Sequence, residues 1–188
     1  MNRPDLATVL RSLGGPDVLA AWADDYGHAV STAVAACPSR EWLLWMATAL
    51  RRGALIHYQP LTLAVCGAAR TVLRDAPADD PRPLAAVEMA EAFARHGRVD
   101  LRDLARVRRG ACDAAAEGLF ARDAGVVAEW TTRAAARAYK GERDYTDAAE
   151  RVLAVADRAG HGAECMVILR RELGPWLERG LRDVEVPS

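Results

Sequence analysis

Apolar residues along this chain recur at intervals of three and four, and nowhere do they alternate with polar ones over four or more positions. Intervals of three and four mark one face of an α-helix, whereas a half-buried strand needs a period of two. Leu6, Val9, Leu10 and Leu13 set the pattern at the start. Alanine, the best helix former and a poor strand former, dominates the apolar set, and β-branched residues never cluster. The pattern therefore predicts an all-α fold of about eight or nine helices, in a compact multi-helix bundle or an array of antiparallel helical hairpins. No repeat of about 30 to 45 residues is present, which disfavours a regular solenoid.

Helix ends are written in proline, glycine and small polar residues. Pro4 opens the first helix and Gly14-Gly15 ends it. Pro16 opens a second, with Val18, Leu19, Trp22, Val30 and Val34 inward and Gly27 placed to kink or split it. After Pro38, Ser39 caps a helix carrying Trp42, Leu43, Trp45, Met46 and Leu50, and Gly53 closes it. Its apolar bulk spreads over more than one face, as expected of a helix contacted on two sides. Residues 76–81, with two prolines and two aspartates, read as the clearest loop. Gly174-Pro175 is expected to bend the last helix. Residues 1–182 read as a single domain, and residues 183–188 as a flexible tail.

Charge narrows the function classes. The net charge is −1, without the basic excess that general binding to nucleic acid or anionic membrane requires. No signal-type apolar region follows Met1, and no apolar run of about 18 residues occurs, so the expected location is the cytoplasm. Cys37, Cys66, Cys112 and Cys165 lie far apart without metal-site spacing and are expected to act as small buried apolar residues.

Several constellations invite chemical readings. Glu88 and Glu91 share a helix face and could act as acid and base or bind a metal, or else pair with Arg82 or Arg95 at the surface. Asp25 with His28 and His161 with Glu164 have three-residue spacing, but the full ligand set of a helical di-iron centre is absent. No metal site and no cofactor are expected. No nucleophile elbow, phosphate loop or zinc motif occurs, so no catalytic residue is assigned. Arg98, Arg102, Arg106 and Arg109 form a stripe interleaved with Asp100, Asp103 and Asp113, which reads as a self-paired helix face. Trp42 and Trp45 cannot both face one core along with Leu43 and Met46. One of them is expected to be exposed or to line a groove, which makes them candidates for a partner surface.

Four stretches carry a resemblance. They are Leu-Ala-Ala-Trp-Ala-Asp-Asp-Tyr-Gly-His (19–28), Arg-Glu-Trp-Leu-Leu-Trp-Met-Ala (40–47), Val-Cys-Gly-Ala-Ala-Arg-Thr-Val-Leu (65–73), and residues 79–95, which include Arg82-Pro83, Val87-Glu88 and Phe93 ahead of Gly97. In these stretches the chain resembles bacterial immunity proteins of polymorphic toxin systems, although Tyr26 stands where relatives are expected to carry Cys. The resemblance covers about the first hundred residues. It implies a non-catalytic protein that binds a cognate toxin protein and neutralises it through surface and charge complementarity. It points to Asp24 and Asp25, and to Asp79, Asp80 and Arg82, as partner-binding residues. The alternative is a helical metal- or small-molecule-binding protein, or an enzyme, using Glu88 and Glu91.

Overall fold

A computed structural model describes residues 4–52, 58–76, 79–97, 100–117, 122–140 and 145–185. Gly53, Pro77, Ala78, Arg98 and the end of the expected tail, 186–188, lie outside the described residues. Among the described residues there are ten helices and no strand. They are α1 (Leu6–Ser12), α2 (Asp17–Asp24), α3 (Val30–Ala36), α4 (Arg40–Arg52), α5 (Gln59–Arg74), α6 (Arg82–His96), α7 (Leu101–Glu117), α8 (Arg122–Lys140), α9 (Tyr145–Arg158) and α10 (Gly162–Arg182). The chain condenses into two compact units. One comprises Met1–His57 with Arg170–Ser188, and the other Tyr58–Leu169.

The count exceeds the expected eight or nine because of Gly27. This residue sits at φ +53°, a left-handed conformation that costs a side-chain-bearing residue about 1–2 kcal/mol, and it separates α2 from α3. Its carbonyl accepts the backbone N–H of Leu6 at 2.8 Å, so the break supplies a partner for one of the unpaired donors at the start of α1. Asp5 supplies another, its carboxylate accepting from the Thr8 N–H at 2.7 Å.

In the first unit, α1 and α2 pack together. Leu6, Val9, Leu10, Leu19, Ala20 and Ala23 are buried. In α4, Leu43, Leu44, Met46, Ala47 and Leu50 are all buried, the wide apolar coverage expected of a helix contacted on more than one side. Leu173, Leu177 and Leu181, from residues 170–182 of α10, are buried as well. A guanidinium nitrogen of Arg170 donates to the Cys37 carbonyl at 2.8 Å, just past the end of α3. α10 continues through Pro175, which has no N–H to offer the carbonyl one turn back.

In the second unit, α8 packs against α5, α6, α7 and α9, and α5 packs against α6 and α9 as well. Small residues allow this close approach. A Cβ at Gly125 would lie 2.5 Å from the Ala115 backbone nitrogen, so α7 and α8 touch where only glycine fits. Ala111, Ala114, Ala124, Ala128, Ala134 and Ala135 are buried, which is the structural consequence of the alanine-rich composition. No helix among the described residues is long and apolar enough to cross a membrane.

Candidate protein-binding site

The short helix α2 buries Leu19, Ala20 and Ala23, which leaves Val18 and Trp22 on its flank at four-residue spacing, with Tyr26 in the turn past its end. Val18 is 61% exposed, and Trp22 and Tyr26 are half-buried. The Trp22 and Tyr26 ring centroids lie 5.0 Å apart, tilted by 48°. Ser39 accepts the backbone N–H of Trp42 at 3.3 Å and so caps the first turn of α4. Trp42, also half-buried, meets Trp22 at 5.4 Å and 49°. Both ring pairs fall in the distance range at which tilted aromatics attract. Three partly exposed rings thus form one surface cluster.

Acid lies beside it. Asp24 ends α2 and Asp25 follows, both exposed. Asp24 accepts from an Arg11 guanidinium nitrogen at 3.0 Å, in a pair open to water on both sides. Asp25 has no ion-pair partner among the described residues.

The expectation for Trp42 and Trp45 resolves into two different settings. Trp42 joins the surface cluster, whereas Trp45 is half-buried with its ring against the Gly15 turn, 3.1 Å from where a Cβ at Gly15 would stand. Trp22, expected to point inward, is part of the surface cluster. Val18, also expected to point inward, is 61% exposed, because the buried stripe of α2 is Leu19, Ala20 and Ala23.

The remaining candidates belong to the second unit, where Asp80, Arg82 and Glu91 are held by their own neighbours. Arg82 donates from Nε to Asp80 Oδ1 at 2.9 Å and from a terminal nitrogen to Oδ2 at 2.8 Å. It also reaches Glu117 at 2.6 Å. The hydrogen bonds from Arg82 hold the carboxyls of Asp80 and Glu117 below the ordinary carboxylate range, and the two carboxylates raise the guanidinium in turn. Asp79 is exposed. Glu91 is buried at 8% exposure and receives both Nε and a terminal nitrogen of Arg70, at 2.6 and 2.9 Å, with Arg95 at 3.9 Å. Glu88 is exposed, so the two glutamates occupy different surroundings. The principal partner of Glu91 is Arg70 on α5; Arg95, one of the two expected from spacing, pairs with it at longer range, and Arg82 pairs instead with Asp80 and Glu117.

The chain matches no family model, no curated protein and no solved structure.

Other candidate chemistry is likewise engaged. Arg74 takes both oxygens of Glu164 at 3.0 Å, and His161 Nε2 lies 2.9 Å from Asp75. His28 Nδ1 lies 3.3 Å from the Pro4 carbonyl oxygen. No group of three or more His, Cys, Asp or Glu side chains suited to a metal gathers among the described residues. Cys37, Cys66 and Cys165 are buried and Cys112 is half-buried. Burial pushes the thiols of Cys37, Cys66 and Cys112 up, away from the reactive thiolate. Within the stripe on α7, Arg106 pairs with Asp103 at 3.2 Å. Sequence reasoning passed over Tyr26 and Trp22 as binding residues. Their signal was the four-residue spacing of two aromatics beside Asp24 and Asp25.

Proposed function

We propose that this chain is a non-catalytic binding protein of the immunity type, which occupies a cognate toxin protein and blocks it. One observation carries the reading: Trp22, Tyr26 and Trp42 form a partly exposed aromatic cluster, and the exposed Asp24 and Asp25 lie between Trp22 and Tyr26 in the sequence. Tryptophan and tyrosine are among the residues that dominate binding energy at protein interfaces, because a large rigid ring loses little entropy on docking. Carboxylates beside such an anchor speed association with a basic partner and select against an acidic one. Toxins that attack nucleic acid are commonly basic, which suits this arrangement. Two of the four stretches that resemble immunity proteins, 19–28 and 40–47, contribute all three rings.

The test begins with affinity capture from lysate of the source cell, using the intact chain and a Trp22→Ala, Trp42→Ala double variant as baits. The expected result is a partner retained near one-to-one by the native chain and lost by the variant. That partner, expressed alone, should arrest growth, and co-expression of the chain should restore it. A stoichiometric partner whose expression is harmless, or whose toxicity persists in the complex, overturns the proposal.

A further inference from the structure

We infer that the α2–α4 surface receives an arginine side chain of its protein partner, seated on the Trp22 indole beside the Asp25 carboxylate. The inference rests on reading that surface as a protein-binding site and names the chemistry it recognises.

Two of the chain's other four indoles, Trp130 and Trp176, carry a guanidinium. Trp130 carries the guanidinium of Arg133, three residues on, 4.5 Å from its ring centroid, and that of Arg151 at 4.8 Å. Trp176 carries Arg179, also three residues on, at 5.3 Å. Both indoles thus have an arginine one helical turn ahead, within the range where a cation is attracted to the ring face. At Trp22 the same position holds Asp25. No cation covers Trp22, Tyr26 or Trp42 among the described residues, and the nearby Arg11 is bound to Asp24. The surface therefore offers two features that a guanidinium seeks, a partly exposed indole and an exposed carboxylate without an ion-pair partner among the described residues. A planar guanidinium can stack on the ring and donate to the acid at once, which a compact ammonium does less well. Val18, 61% exposed one turn before Trp22, extends the patch with an aliphatic surface for the stem of the incoming side chain or for an apolar neighbour.

The probe is a blocked tripeptide with arginine between two leucines, titrated in large excess against the intact protein. It is followed by the indole N–H resonances of all five tryptophans. The control is the same peptide with citrulline, which keeps the shape and removes the charge. The expected result is saturable shifts at Trp22 and Trp42 with the arginine peptide and none with citrulline. Trp22→Leu abolishes the response. Asp25→Asn, an exposed change that leaves the core untouched, weakens binding by about three- to tenfold. Equal shifts from both peptides, an unchanged affinity in Asp25→Asn, or no response at Trp22 and Trp42 overturns the inference. The outcome is separable from that of the proposed function. If the chain neutralises a captured toxin while these two indoles ignore the arginine peptide, only the arginine site falls. If the peptide binds and no toxic partner exists, only the immunity reading falls.

Discussion

Arg70 closes over both carboxylate oxygens of Glu91, Nε to Oε1 at 2.6 Å and a terminal nitrogen to Oε2 at 2.9 Å, and so pins α5 to α6. The two partners are unequally exposed: the Glu91 side chain is 11% accessible and that of Arg70 is 42%. Removing either one leaves the other without its main partner, but only the carboxylate is left inside. Arg70→Met is therefore expected to destabilise the protein by about 2–4 kcal/mol. Glu91→Gln, which leaves a guanidinium able to reach water, is expected to cost about 1–2 kcal/mol. Urea unfolding of the two variants measures the difference. Equal losses would show that Arg95, 3.9 Å from Glu91, substitutes for Arg70.

Two glycines are needed for different reasons, and alanine separates them. At Gly27 the demand is conformational: φ is +53° and nothing lies within 4 Å of where a Cβ would stand. Gly27→Ala is expected to cost about 1–2 kcal/mol, the ordinary penalty of the left-handed region. At Gly125 the demand is space, because the added carbon would stand 2.5 Å from the Ala115 nitrogen and 2.7 Å from its Cα. Backbone cannot rotate away as a side chain can, so α7 and α8 must separate. The expected cost exceeds about 3 kcal/mol, above the usual range for overpacking. Denaturant midpoints of the two variants, measured side by side, rank the effects.

What was legible in the sequence was local. Helix periodicity, the Ser39 cap, the stop at Gly97 (φ +64°) and the break at Gly27 all depend on residues within one turn of each other. The partner of Glu91 was not legible, because Arg70 lies 21 positions away and reaches it only once α5 and α6 have a fixed register. Trp22 was misjudged for a related reason. Its spacing from Leu19 allows burial, and only packing decides that the indole stays half-buried against Tyr26 and Trp42. The candidate acids were legible as residues but not as partners: Asp80 is held by Arg82 and Asp24 by Arg11, whereas Asp25 has no such pair among the described residues. The division into two units has no compositional mark, since one of its boundaries, between Leu169 and Arg170, falls inside α10.

The Asp80–Arg82–Glu117 cluster sets a pH dependence whose direction follows from its shifts. Both carboxyls are held below their ordinary values, 3.8 for aspartate and 4.5 for glutamate, by hydrogen bonds from Arg82. A group with a depressed folded pKa contributes stability above its unfolded value and loses it as pH falls through the folded value. The cluster therefore supports the fold fully at about pH 6 and fades below about pH 4. Arg82→Gln is expected to lower the urea midpoint at about pH 6, with the gap from the native protein narrowing as pH falls through the depressed values of the two carboxyls. Because Glu117 is exposed and Arg82 and Asp80 are only half-buried, the effect is small and shrinks further in high salt. A gap that widens on acidification would contradict the sign.

The proposed interface predicts a rank order among its residues. Trp22 and Trp42 are in mutual contact at 5.4 Å and partly exposed, so each offers a broad ring to a partner and loses it on truncation. Trp22→Ala and Trp42→Ala are each expected to weaken the partner complex by about 2 kcal/mol or more, roughly 30-fold, the level of an interface hot spot. Asp25→Ala is expected to act mainly on the association rate and to lose its effect at high salt, as a charge at the rim does. Trp45→Ala separates stability from binding. Its ring packs against the Gly15 turn, so the variant should unfold at lower urea yet bind with little change while folded. Asp80→Ala acts on a carboxylate already committed to Arg82 and is expected to leave affinity near native. Surface-bound partner, measured for on- and off-rates across these five variants, checks the order. A loss that followed Asp80 and spared Trp22 would move the interface to the second unit.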